Sequence, residues 1–388
     1  MTAGDSAFSL YIHIPYCISK CPYCDFNSHV VPEIPEKQYR DALLRELDHY
    51  GSAKDWQGRP VQSIFFGGGT PSTFKPASIG KILARVAATF PSQADCEITL
   101  EANPGTVDQE NFVGYRDAGV NRISVGVQSF QPRLLNFLGR AHSANEARVA
   151  LEVVRRAGFD NFSFDLIYAS PAQTLSELEA DLDQALTFRS PHLSAYNLTF
   201  EEGTPFGYEY RSGRMKPLNE DEEIAMAELI ERKLDQAGLR RYEISNYARP
   251  GCHSRHNVNY WRGGDYLGLG AGAHSYNIGA AGVLARRWSN EKNPGRYLEK
   301  VGQGGEAVTD WEDIERVKAA GEFMFLGLRM TEGISIRDFR SRFEKTPIEY
   351  YARIASWIDG DLMEEKDGFL RLTRKGLLLA NSIFVEFM

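Results

Sequence analysis

The feature that most constrains this chain is a regular alternation of short apolar runs with amphipathic ones through its first two hundred residues. The strand-like runs are FSLYIHI (8–14), VQSIFFGGG (61–69), CEITLEA (96–102), RISVGVQSF (122–130), FSFDLIYA (162–169) and HLSAYNLTF (192–200). Helical patterns at 37–50, 76–90, 143–158 and 176–188 lie between them, the last predicted to start with a capping box, Ser176 with Glu179. Neighbouring side chains of a strand point to opposite faces, so largely apolar strands are covered on both sides, as parallel strands with crossover helices are. Six such units predict an α/β protein built on an open or closed barrel rather than a two-layer sandwich. Polar groups recur at the C-terminal ends of these runs: Gly67 to Thr70, Glu101, Gln128, Asp165 and Thr199. That end of a β/α barrel is where chemistry collects.

Beyond Pro205 the texture changes twice, which divides the chain into 1–215, a connecting region 216–309 and a C-terminal module 310–388. A long helical pattern (219–238) leads into a glycine- and tyrosine-rich stretch. The last part reads as helices followed by a hairpin turning at Asp367-Gly368, a winged-helix-like arrangement. Residues 310–388 carry 12 Lys+Arg and 15 Asp+Glu, and the whole chain has a net charge of −8, so neither presents the basic footprint of a nucleic-acid binder. No apolar run reaches the roughly eighteen residues of a membrane span. The N-terminus, MTAGDSAFSL, has Asp5 and no basic segment of the kind that opens a signal peptide. A cytoplasmic protein is expected.

Three of the five cysteines fall within eight residues, as Cys17-x3-Cys21-x2-Cys24. In a reducing compartment such a cluster reads as metal or redox chemistry, whereas Cys96, opening an apolar run, reads as a small buried hydrophobe. Zinc would want a fourth ligand, which His13 or His29 can supply. A disulfide with a spare thiol is a further reading. The first-ranked alternative is a [4Fe–4S] cluster with one iron left without a protein ligand, since clusters that only carry electrons have all their irons capped.

On this motif the chain resembles the radical-SAM superfamily, whose signature is CxxxCxxC after the first strand of a partial (β/α)6 barrel, the fold that the resemblance implies for residues 1–215. The resemblance implies that the open iron binds S-adenosylmethionine, and FGGGTPS (66–72) is similar to the superfamily's glycine-rich segment. Closer still is a resemblance to the oxygen-independent coproporphyrinogen oxidase group and its haem-chaperone branch. By that resemblance Tyr11, Gly68, Gly69, Thr70, Glu101, Gln128, Arg140, Asp165, Thr199 and His274 contact S-adenosylmethionine, for which the group has two positions. Glu101 and Asp165 would accept ribose hydroxyls, Arg140 would pair with the methionyl carboxylate, and Tyr23 would lie against the adenine.

Two departures favour the chaperone branch over the oxidases. The oxidases read CxxxCxxCxC, and this chain has Phe26 at the extra cysteine; they also carry a long extension before the cluster. HNVNYW (256–261) resembles the branch's haem-binding motif HNxxYW. The resemblance implies that His256 ligates haem iron with Tyr260 and Trp261 against the porphyrin, and Cys252 and His253 are alternative ligands. It implies further that haem passes to acceptor proteins, membrane respiratory enzymes among them, and that the chain forms a homodimer. The competing expectations are radical decarboxylation of coproporphyrinogen III and another modification of a tetrapyrrole.

Overall fold

The first run folds as a strand over Phe8–Ile14, with Phe8, Leu10, Ile12 and Ile14 inaccessible to solvent. Alternating along the strand, they share one face, and that face is covered by the main hydrophobic core. The computed structural model describes residues 7–279 and 283–388; Met1–Ser6, which include Asp5, and Ala280–Gly282 lie outside the described residues. All six expected strands form, at Phe8–Ile14, Val61–Gly68, Ser92–Ala102, Arg122–Gln128, Phe162–Tyr168 and His192–Asn197. They pair in parallel and in chain order, with Leu10 beside Ile64, Ile64 beside Ile98, Leu100 beside Ile123 and Phe164 beside Leu193.

The strand around Cys96 starts four residues earlier than its apolar pattern, at Ser92, and Cys96 is buried in the core as expected. The capping box of the helix Leu175–Thr187 is made by Thr174 and Glu177, not by Ser176 and Glu179. Both pairs fit the pattern, but Thr174 is the residue with extended backbone (φ −93°, ψ 154°). It can therefore turn its hydroxyl onto the free N–H of Glu177.

The sheet is larger than the sequence pattern. A seventh parallel strand, Tyr266–Leu269, joins the free side of Phe8–Ile14. Antiparallel strands His274–Ile278, Ala285–Asn290 and Val308–Ile314 extend that side, while Asn246–Ala248 and Arg240–Arg241 extend the other. The result is one open sheet of twelve strands among the described residues, with Val308–Ile314 at one edge and Arg240–Arg241 at the other. The partial barrel is thus open, and residues 240–314 complete its sheet.

Buried polar groups lock these late strands onto the early ones. Glu46, on the helix Glu36–Ser52, accepts hydrogen bonds from Tyr297 Oη (2.6 Å), Asn290 Nδ2 (2.6 Å) and the Gly270 N–H (2.8 Å). Arg59 is ion-paired with Asp265, both nearly inaccessible. A buried carboxylate or ion pair is tolerable only when its hydrogen-bonding capacity is used in this way.

The C-terminal module contains the expected hairpin, Met363–Lys366 with Phe369–Leu372. Asp367 and Gly368 both have positive φ (54° and 82°), the requirement of a tight two-residue turn between twisted strands. Ile334–Ser335 adds a third strand. The helix Arg316–Gly327 joins this module to the sheet, sharing a hydrophobic core with Tyr276, Ala285 and Ile314. No helix among the described residues is long and apolar enough to cross a membrane.

Candidate functional site

Cys17 ends a two-residue strand that follows the first long strand, and Cys21 and Cys24 lie in the loop beyond it. None of the three is in a disulfide. All three line a cavity of about 150 Å³ at the C-terminal ends of the parallel strands. Tyr23, Gly68, Gly69, Thr70, Glu101, Gln128, Arg140 and Asp165 line the same cavity, so eight of the expected contact residues converge on the cysteines.

The glycines work mainly within the protein. A Cβ on Gly69 would stand 2.7 to 2.9 Å from the backbone of Tyr16 and Pro15. Its absence lets the Gly69 N–H donate to Ile14 O and the Thr70 N–H donate to Tyr16 O, both at 2.8 Å. Gly68 has a φ of +113° that favours glycine, and its N–H faces Glu101 Oε2 at 3.3 Å. The glycine-rich segment thus clamps the strand that ends in Cys17. Gln128 is held in the left-handed region (φ 69°) at its strand end, a strained position of the kind that gathers at sites.

Donors reach the sulfurs: Thr70 Oγ1 lies 3.4 Å from Cys17 Sγ, and Arg140 Nη1 lies 3.4 Å from Cys21 Sγ. Arg140 also donates to Tyr23 Oη (3.3 Å), Gly126 O (2.8 Å) and Asn103 Oδ1. Among the described residues its Nε is buried without a partner, as is Ser28 Oγ in the wall of the same cavity. Burial, then Asp165, pushes the Glu101 carboxyl up to about 8, and burial pushes Asp165 up to about 6. Such groups, waiting for a polar or cationic partner, suit a ligand like S-adenosylmethionine, and the free thiols suit iron. Zinc with a histidine suits the site less well. His13 already spends Nδ1 on Tyr11 Oη (3.0 Å) and Nε2 on Asn27 O (2.8 Å), and neither His13 nor His29 lines this cavity.

Asn103 and Ser124 also line the cavity and were not singled out from the sequence. Asn103 holds Arg140 and donates to Thr70 Oγ1 at 2.8 Å. The available signal was its place just after Glu101 and before Pro104, at a strand end.

A second cavity, of about 840 Å³, opens beside the first and shares Lys20, Phe26, Ser28, Gly68 and Glu101 with it. Phe26, 65% exposed, stands at the junction. Tyr11 and His274 line this larger space rather than the smaller one. Thr199 lies past the end of its strand, exposed, and lines neither.

The HNVNYW segment is the short helix Arg255–Trp261. Tyr260 and Trp261 form part of the larger cavity's wall, but His256 stands behind it, 1% exposed. Its Nδ1 meets Ser63 Oγ at 3.0 Å and its Nε2 meets Tyr260 Oη at 2.9 Å, so both ring nitrogens are engaged. Burial, then Arg122, holds it down to about 3, which keeps the ring neutral. The expected iron ligand is thus buried, with one ring nitrogen on Ser63 and the other on Tyr260. Cys252 and His253 line neither cavity; His253 stacks on Tyr242 at 4.2 Å, and Cys252 packs nearby.

Residues 11–185 match the radical SAM superfamily, and residues 316–379 match the HemN C-terminal domain. The chain is 39% identical to a heme chaperone HemW of Escherichia coli K12 over 98% of both chains. It is 33% identical to a heme chaperone HemW of Bacillus subtilis 168 over 98% of this chain and 99% of that one. Among solved structures, the radical SAM coproporphyrinogen III oxidase HemN of Escherichia coli superposes with a TM-score of 0.83, at 24% identity, over 99% of this chain and 90% of that one. That likeness is one of fold, whereas the full-length identities go further: the chain belongs to the HemW family of the radical SAM superfamily.

Proposed function

We propose that this protein is a cytoplasmic haem chaperone, which binds haem in the larger cavity and passes it to acceptor haem proteins such as membrane respiratory enzymes. In this reading Cys17, Cys21 and Cys24 hold a [4Fe–4S] cluster, and S-adenosylmethionine occupies the neighbouring space beside Glu101, Gln128, Arg140 and Asp165. The observation that carries the reading is the full-length identity with proteins named heme chaperone HemW. Two features of the chain support it. Phe26 stands in the exposed junction between the cavities, at the position where the oxidases have a further cysteine. The larger cavity is walled by aromatic rings, with Tyr260 4.6 Å from Tyr266 and Tyr266 6.1 Å from Tyr276, and aromatic faces of this kind pack against a porphyrin.

The test sets chaperone against oxidase. Protein purified without oxygen, with its iron and sulfide measured, is loaded with haem and mixed with an apo-acceptor. It is incubated in parallel with coproporphyrinogen III, S-adenosylmethionine and a reductant. Haem should move to the acceptor, and no protoporphyrinogen should form. Protoporphyrinogen formation at catalytic turnover would overturn the proposal, and zinc without iron or sulfide would overturn the cluster.

A further inference from the structure

Three histidines line the larger cavity: His13, His29 and His274. His13 has both ring nitrogens engaged, and His29 Nε2 meets Asn27 Oδ1 at 3.1 Å. The tyrosines nearest the parallel strands are engaged as well, Tyr11 with His13 and Tyr260 with His256. The cluster cysteines face the other cavity. His274 differs from all of these. It begins the strand His274–Ile278, its side chain is exposed, and among the described residues neither ring nitrogen has a hydrogen-bond partner.

The turn before it is held firmly. The Gly270 N–H donates to Glu46, the Ala271 N–H donates to Tyr39 Oη at 2.8 Å, and Asn27 Nδ2 donates to Ala271 O at 2.9 Å. A free imidazole on a fixed strand, facing an aromatic-walled cavity, has what an axial ligand to haem iron needs.

The same cavity holds cations with no carboxylate partner. Arg287 is paired with Glu312 and Glu322, but Lys292 and Arg342 form no ion pair among the described residues. Arg342 reaches only Tyr276 Oη, at 3.5 Å, and the faces of Phe323 and Phe343. Unpaired cations at the rim of an apolar cavity suit the two carboxylates of haem.

Resting on the chaperone reading above, we propose that His274, and not His256, is the protein's ligand to haem iron, with Lys292 and Arg342 receiving the propionates. His256 is then a positioning residue for Tyr260.

The test is titration of ferric haem into the intact protein, followed by Soret absorption and electron paramagnetic resonance. His274→Ala should lose the nitrogen-ligand signature and weaken binding by roughly tenfold or more, and added imidazole should restore the signature. His256→Ala should keep it. His274→Tyr, a replacement that strands favour, should fold and shift the spectrum to that of a phenolate ligand. Arg342→Gln combined with Lys292→Gln should weaken binding while leaving the ligand signature in place. An unchanged spectrum in His274→Ala, or its loss in His256→Ala alone, would overturn the assignment. Failure of the unaltered protein to take up haem would instead overturn the chaperone reading beneath it.

Discussion

Glu101 lies where the two cavities meet, and its raised pKa has a measurable consequence. With the carboxyl held up to about 8 by burial and by Asp165, the folded protein keeps a proton that the unfolded chain releases near 4.5. The ligand-free fold therefore loses stability as pH rises from about 4.5 to about 8. A cationic ligand beside Glu101 favours the ionised form, so binding of S-adenosylmethionine should release a proton. Its affinity should climb as pH rises toward 8 and level off above. Calorimetry in buffers of different ionisation enthalpy would count that proton, and Glu101→Gln should abolish the release and the slope above about pH 6, the range in which Asp165 is already ionised. A flat profile in the unaltered protein would mean that the ligand does not settle beside Glu101. Residues such as Glu101, Gln128 and Asp165 were legible because each interrupts an otherwise apolar strand. Tyr266 and Arg342 were not, because their relation to the cavity comes from strands and helices far apart in the chain.

Between elements, the decisive contact is that of Gly69 with the strand leading into Cys17. A methyl group at Gly69 would meet backbone atoms of Tyr16 and Pro15, which cannot rotate away as a side-chain tip can. Gly69→Ala should therefore displace the start of the cysteine loop while the rest of the sheet holds. The expected result is a folded protein, by circular dichroism, whose iron and sulfide content after anaerobic reconstitution falls well below that of the unaltered chain. Full incorporation would show that the loop reaches its geometry without this clamp.

The six early strands were readable because each is a long apolar run between good helical patterns. The seventh, Tyr266–Leu269, is four residues with a glycine, too short to show a period. The antiparallel strands beyond it, such as ARRWSN at Ala285–Asn290, carry charged residues that alone read as loop. Ala285–Asn290 is a strand because its backbone pairs with His274–Ile278 on one side and Val308–Ile314 on the other, and Arg286 with Asp313 and Arg287 with Glu312 add cross-strand pairs. Cross-strand pairs of this kind stabilise a sheet but leave no local signal.

At the scale of the whole molecule, the larger cavity is built from parts distant in sequence. The cysteine loop supplies Phe26 and Asn27, the antiparallel strand His274–Ile278 supplies His274 and Tyr276, and the helix Arg316–Gly327 supplies Phe323 and Leu326. Asn27 links the first two directly, donating to Ala271 O and to Lys292 O at 2.9 Å. A ligand seated among these three parts is bound only when all are in place, so binding it must draw them together. At a free ligand concentration a hundredfold above Kd, that linkage is worth about 2.7 kcal/mol of added stability. The gain should be local. Hydrogen exchange with and without haem should show increased protection in His274–Ile278 and Arg316–Gly327. The helix Ala144–Arg156, which lines neither cavity, should exchange as before. Protection confined to Arg255–Trp261 would place the haem behind the cavity wall, at His256, and uniform protection would mean that haem stabilises the fold without choosing a site. The predicted pattern instead makes the C-terminal module part of the haem site, and the loop that carries the cysteines would then feel, through Asn27, whether the larger cavity is filled.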